Sequence, residues 1–121
     1  MNNLFIFSFV IVILTIFSIY AHEYGHILMA KKLGHSFHGF VYHWSGIGAR
    51  IDISKKPRDI WKIALAGLLV TAGISMLSFP FINFWFINYL FVLNFFIFLI
   101  NAIPLGPTDG RQVIKGLREP N

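Results

Sequence analysis

From Leu4 to Ile19 the chain carries no charge, and its only polar groups are the hydroxyls of Ser8, Thr15 and Ser18. A helix of such residues is apolar on every side, which suits a bilayer rather than the surface of a soluble domain. About 20 residues of this kind cross a hydrocarbon core of about 30 Å. Three segments are long enough: Leu4 to Met29, Ile60 to Phe79, and Phe84 to Ile103. The 121 residues are 56% hydrophobic and 12% charged, with a mean hydropathy of +0.68, so little of the chain is left for an aqueous domain.

The first run ends in Ile19-Tyr20-Ala21, a tolerable cleavage site for a secretory signal. Met1-Asn2-Asn3 lacks the basic residues that begin such signals, and the run is read as a retained span. The absence of cysteine excludes disulfides and thiolate metal sites. The net charge of +5 does not mark a nucleic-acid partner, because the basic residues follow topology. Lys31, Lys32, Arg50, Lys55, Lys56, Arg58 and Lys62 fall between the first span and the start of the second, and Arg111, Lys115 and Arg118 follow the third. The positive-inside rule then puts both regions in the cytoplasm, with the N-terminus and the Pro80 to Asn83 turn outside.

A polar stretch from Gly34 to Asp59 separates the first two spans. Its "SFHGFVYHW" and "ARIDIS" are rich in β-branched and aromatic residues, and "SGIG" between them supplies turn glycines, which predicts a hairpin over 37–53. On the second span Ala64, Gly67, Thr71, Ser75 and Ser78 recur every three or four residues, a small-residue face that lets another helix approach closely in lipid. Asn94 and Asn101 interrupt the third span, and Pro104 and Pro107 end it in "NAIPLGPTDG". With no repeat and no linker, the expected fold is a single unit over 1–121. It is an all-α membrane protein of three transmembrane helices, with a short β-hairpin in the cytoplasmic loop between the first and second.

Where the first span should still be apolar, "HEYGH" places His22, Glu23 and His26. Histidines four apart project from one helix face and can take one metal ion, and the glutamate beside them can accept a proton from water at that metal. Ionisable groups inside a span cost about 2.5 to 3.5 kcal/mol each even on the lenient insertion scale for Asp, Lys or Arg. Three within one turn or so need a compensating partner, and a zinc ion supplies it. A catalytic zinc usually has three protein ligands plus water, so one is still to be found among Asp109, His35, His38, His43, Asp52, Asp59 and Glu119. Helices one and three run in the same direction. Leu4 to His22 covers about 27 Å at 1.5 Å per residue, which puts the motif near the cytoplasmic edge, where the segment carrying Asp109 also arrives. Asp109 is equally read as the N-cap of a short helix, "GRQVIKGL". The loop histidines His35, His38 and His43 are of a kind usually solvated or interfacial, and Arg111 is a partner either for Asp109 or for an acidic headgroup.

With "HEYGH" near the end of one membrane helix and "NAIPLGPTDG" at the end of another, the chain resembles the site-2 protease family of intramembrane zinc metalloproteases. The resemblance covers nearly the whole chain and extends to the loop and to "PRDIWKIALAG". That family has a core of three membrane helices, with H-E-x-x-H on the first and N-x-x-P…D-G on the third, matched here by Asn101, Pro104, Asp109 and Gly110. It implies zinc held by His22, His26 and Asp109, with Glu23 as the general base. Asn101 and Pro104 would shape the segment that delivers the aspartate, and Gly110 would allow its close turn. One departure stands out: where the family's middle helix often carries G-P-x-x-N, this chain has Gly67, Leu68 and Thr71. Any role of that asparagine in substrate handling is lost or passes to Thr71. The family's accessory domains and additional helices are also missing.

The expected activity is hydrolysis of peptide bonds within or next to transmembrane segments of membrane-anchored substrates, either in regulated intramembrane proteolysis or in removal of signal-peptide remnants. The partners are a membrane protein or peptide and the lipid bilayer, with no nucleic acid. The alternative, a silent zinc-binding scaffold or client-binding protein, has no use for Glu23, since structural zinc sites fill all four positions with protein ligands. A transporter needs a second access route that three helices and one site do not offer. The hairpin edge is positioned to pair with an extended substrate, or else merely covers the site. Three short helices cover a hydrated zinc poorly, so a second copy or an adaptor is expected along the small-residue face.

Overall fold

Asn2–Lys32 form one continuous helix, α1, in the computed structural model, which describes residues 2–43, 46–106 and 108–119. At 1.5 Å per residue this helix is about 46 Å long, more than the core of a bilayer, so the turns that carry His22 to Lys32 reach toward an interface. Lys31 and Lys32 suit the negative end of the helix dipole. Gly34, at φ 86°, then turns the chain, with its N–H donating to the Lys31 carbonyl and that of His35 to Ala30.

The hairpin follows as β1 (Ser36–His43) and β2 (Gly46–Asp52), antiparallel. Phe37 pairs with Ile51 and Phe40 with Ala49, so β1 holds one extra residue, a bulge in which Gly39 takes φ 95°. The expected "SGIG" turn is corrected in part. Gly46, Ile47 and Gly48 belong to the strand, because Gly48 pairs with Val41 and extends the ladder. Trp44 and Ser45 lie outside the described residues. A 3₁₀ turn, Pro57–Asp59, leads into α2 (Ile60–Ser78); a second, Phe79–Phe81, leads toward α3 (Trp85–Ala102); and α4 (Asp109–Arg118) closes the described fold.

Three helices are long and apolar enough to cross a membrane, and they fall on the three expected segments. The chain is an integral membrane protein. Residues α1 shares with α3 advance together: Phe7 stacks on Trp85, Thr15 bonds to Tyr89, and Asn94 donates to Ser18. These two helices are therefore parallel. Against α2 the order reverses, with Gly25 beside Val70 and His26 bonded to Ile63.

The centre of the bundle is small and polar. Ser18, Thr71 and Asn94 are fully buried, while Phe5, Phe17, Leu69, Leu77 and Ile100 on the outside are more than half exposed. Between helices in lipid this is the expected arrangement, since close approach and hydrogen bonds hold them where the hydrophobic effect cannot. Ala64, Gly67, Thr71, Ser75 and Ser78 are all buried. Within the chain, α1 meets this face at His26 and α3 meets it at Phe91. The apolar core, Ile27, Ala30, Ile63, Ala64 and Leu68, lies at the level of the histidines.

Candidate metal centre

On α1 the spacing of four lines up Ser18, His22, His26 and Ala30 as one buried stripe. His26 is seated by α2. Its Nδ1 lies 2.7 Å from the Ile63 carbonyl oxygen, which can only accept, so Nδ1 carries the proton and Nε2 presents a lone pair. Gly67 makes room for the ring, because a Cβ there would collide with the imidazole. Gly25 likewise brings the two helices together, since its Cβ would sit 2.6 Å from Val70 Cγ2.

α4 brings the third group. Thr108 is its N-cap, its Oγ1 accepting from the Arg111 N–H, and Asp109 is the first helical residue. The N-cap reading of Asp109 is thus corrected. The carboxylate turns back toward α1, with Oδ2 2.7 Å from His22 Nε2 and 3.3 Å from His26 Nε2, and the two nitrogens are 3.2 Å apart. Ligands about 2.0–2.1 Å from a tetrahedral zinc are about 3.3 Å from one another. Two nitrogens and one carboxylate oxygen stand at separations of this size. Burial pushes the Asp109 carboxyl up, but the His22 and His26 imidazoles beside it outweigh that and hold it at about 2. The carboxyl is therefore ionised at neutral pH.

Glu23 stands beside this triangle. One oxygen or nitrogen from each of His22, Glu23 and His26 falls within 4.8 Å of the others. The Glu23 carboxylate is oriented by the hairpin, because the Ala49 N–H donates to Oε2 at 2.9 Å. The group opens into a cavity of about 820 Å³ walled by α1, β2, α2, α3 and α4, with Ile47, Ile51, Ile53 and Ile97 among its apolar lining.

The remaining candidates for the third ligand are engaged elsewhere. His35 Nε2 bonds Asp59 Oδ2 at 2.8 Å, a buried pair that ties the start of β1 to the start of α2. His38 and Asp52 are exposed, and the Ser54 N–H draws the Asp52 carboxyl below its ordinary range. Glu119 caps the far end of α4. The side chain of His43 lies outside the described residues. Arg111 is exposed and is not among the partners of Asp109.

Residues 2–104 match the family described as Peptidase M50B-like. The chain belongs to the M50B-like peptidase family. This is a site-2 protease family, and M50 peptidases are generally zinc-dependent. No curated protein and no solved structure matches the chain. The match spans "HEYGH" and ends before Asp109, so the candidacy of Asp109 rests on its distances to the two histidines.

The other residues singled out in the sequence occupy separate places in the structure. Asn101 lines the cavity, and its Nδ2 donates to the Ile97 carbonyl of its own helix. Pro104 follows the end of α3 at Ala102, and Pro107 is outside the described residues. Gly110 does not make a turn. It is inside α4, where a Cβ would collide with the Ala102 carbonyl, and the turn is made by Gly106 at φ 71°. Thr71 is fully buried, donates to the Leu68 carbonyl, and is not among the cavity-lining residues. Sequence reasoning missed three contributors. Gln112 is in the cavity wall, and its spacing of three from Asp109 was the available signal. The Ile63 carbonyl and the Ala49 N–H are backbone groups and leave no trace in residue type.

Proposed function

We propose that this M50B-like protein is an intramembrane zinc endopeptidase that cuts peptide bonds within or next to membrane-spanning segments of anchored substrates. The observation that carries the proposal is the triangle of His22 Nε2, His26 Nε2 and Asp109 Oδ2, with Glu23 alongside, inside a bundle of membrane helices. His22, His26 and Asp109 would hold the ion. Bound zinc supplies Lewis acidity, acidifying water and polarising the scissile carbonyl. Glu23 accepts a proton as the water oxygen attacks the carbonyl carbon, and delivers it to the leaving nitrogen as the C–N bond breaks.

A substrate must reach the site unwound, because a helix hides its peptide groups. β2 offers an extended template for such a segment. In support, the Ala49 N–H projects from β2 toward Glu23 and not toward β1, and Ile47, Ile51 and Ile53 of the same stretch line the cavity. The basic residues of 31–62 and of α4 support an orientation with the loop and C-terminus in the cytoplasm and the N-terminus outside.

The test is cleavage of a synthetic membrane-helix peptide in liposomes by the native chain and by Glu23→Gln. Cleavage that requires both Glu23 and zinc upholds the proposal. Zinc binding without cleavage of any peptide would instead point to a silent zinc-binding scaffold.

A further inference from the structure

A peptide that enters a cavity walled largely by isoleucines leaves water behind, and its own N–H and C=O groups then need protein partners. Apart from the metal-facing triad and Glu23, the uncharged hydrogen-bonding side chains in the wall are Asn101, Thr108 and Gln112. Thr108 is committed, and so is the amide nitrogen of Asn101. Asn101 Nδ2 donates to the Ile97 carbonyl, while Thr108 Oγ1 donates to the Ile103 carbonyl and caps α4.

Gln112 is different. It lies three residues after Asp109, on the same side of α4, and its backbone N–H is already satisfied by the Thr108 carbonyl. Its side-chain Oε1 is buried and has no hydrogen-bond partner among the described residues. A buried amide oxygen without a donor is costly, and in a native structure it calls for an explanation such as a ligand. The neutral carboxamide combines an acceptor with two donors, the complement of a peptide group. It also adds no charge to the histidine and carboxylate set beside it.

We propose that Gln112 is a substrate-binding residue whose Oε1 accepts a hydrogen bond from a main-chain N–H of the bound peptide near the scissile bond. The inference rests on the peptidase reading and deepens it. Gln112 on α4 thus joins Asn101 on α3 as a side-chain amide at the cavity wall. It would favour segments already extended, whose N–H groups are free, over intact helices.

The experiment compares the native chain with Gln112→Leu, which keeps the volume and removes the polar end, and with Gln112→Asn, which keeps the amide but shortens its reach. Zinc content, KM and kcat are measured with a synthetic membrane-helix peptide in liposomes. A series of the same peptide follows, with single backbone N–H groups replaced one at a time by ester oxygens. The expected result is unchanged zinc, a KM at least tenfold higher in Gln112→Leu, and one ester position that slows the native chain about tenfold but no longer affects Gln112→Leu. If Gln112→Leu fails to fold, the Gln112→Asn series is decisive, with the same ester position losing most of its effect. An ester series that affects native and variant alike at every position overturns the inference while leaving the peptidase reading intact. Failure of the native chain to cleave any of the peptides overturns both.

Discussion

Gly67→Ala adds a single methyl group at the place where α2 seats His26. The new Cβ would stand 2.5 Å from His26 Nε2 and 2.7 Å from Nδ1, whereas carbon contacts relax at about 3.5–4.0 Å. The imidazole must therefore retreat by on the order of 1 Å. It has little freedom to do so, because Nδ1 is held by the Ile63 carbonyl at 2.7 Å and the ring lies against His22 with centroids 4.7 Å apart. Metal–ligand distances tolerate only about 0.2 Å. The substitution is expected to weaken zinc binding roughly ten- to a hundredfold, or about 1.4 to 2.8 kcal/mol. Gly73→Ala is the control: it lies on the same helix, its Cβ would meet nothing within 4 Å, and it gains about 1 kcal/mol of helix propensity without touching the site. Both variants are titrated in detergent micelles against a chromogenic zinc chelator. If Gly67→Ala holds zinc as tightly as Gly73→Ala, the packing argument for His26 is wrong.

Asp59→Ala leaves His35 buried without its partner and is expected to cost about 1–3 kcal/mol, read as a lower thermal midpoint with zinc stoichiometry unchanged. Ala49→Pro removes the N–H that orients Glu23. Zinc should be retained while cleavage falls, and unchanged cleavage would dismiss both the orienting bond and the use of β2 as a template. Asn94→Leu loses the bonds to Ser18 and to the Leu90 carbonyl. Such bonds between membrane helices average about 0.6 kcal/mol, so a small loss of stability in micelles is expected, and a loss beyond about 2 kcal/mol would mean that Asn94 does more than join α1 to α3.

What the sequence disclosed depended on whether the cause was local. The spans were legible because apolar length is a property of each segment alone, and "HEYGH" was legible because spacing of four on a helix puts two imidazoles on one side. The start of α4 was not, since Thr108 and Asp109 are both good caps. In the structure Thr108 is the cap and the Asp109 carboxylate lies against His22 and His26. Gly46 and Gly48 look like turn residues, yet pairing with β1 keeps them in the strand. The pair His35 and Asp59 joins residues on either side of the hairpin, which no periodicity reveals. The small-residue face was visible as a surface for packing, but only the arrangement of helices determines that α1 and α3 occupy it.

The central claim is that His22, His26 and Asp109 hold a zinc ion on which Glu23 acts as base. The most direct measurement is zinc content and peptide cleavage, made on the same liposome preparations of the native chain, Glu23→Gln and Asp109→Ala. The expected outcome is about one zinc per native chain, the same zinc with cleavage reduced about 10²- to 10⁴-fold in Glu23→Gln, and weakened zinc binding in Asp109→Ala. Native zinc affinity in Asp109→Ala, or native cleavage by Glu23→Gln, would contradict it.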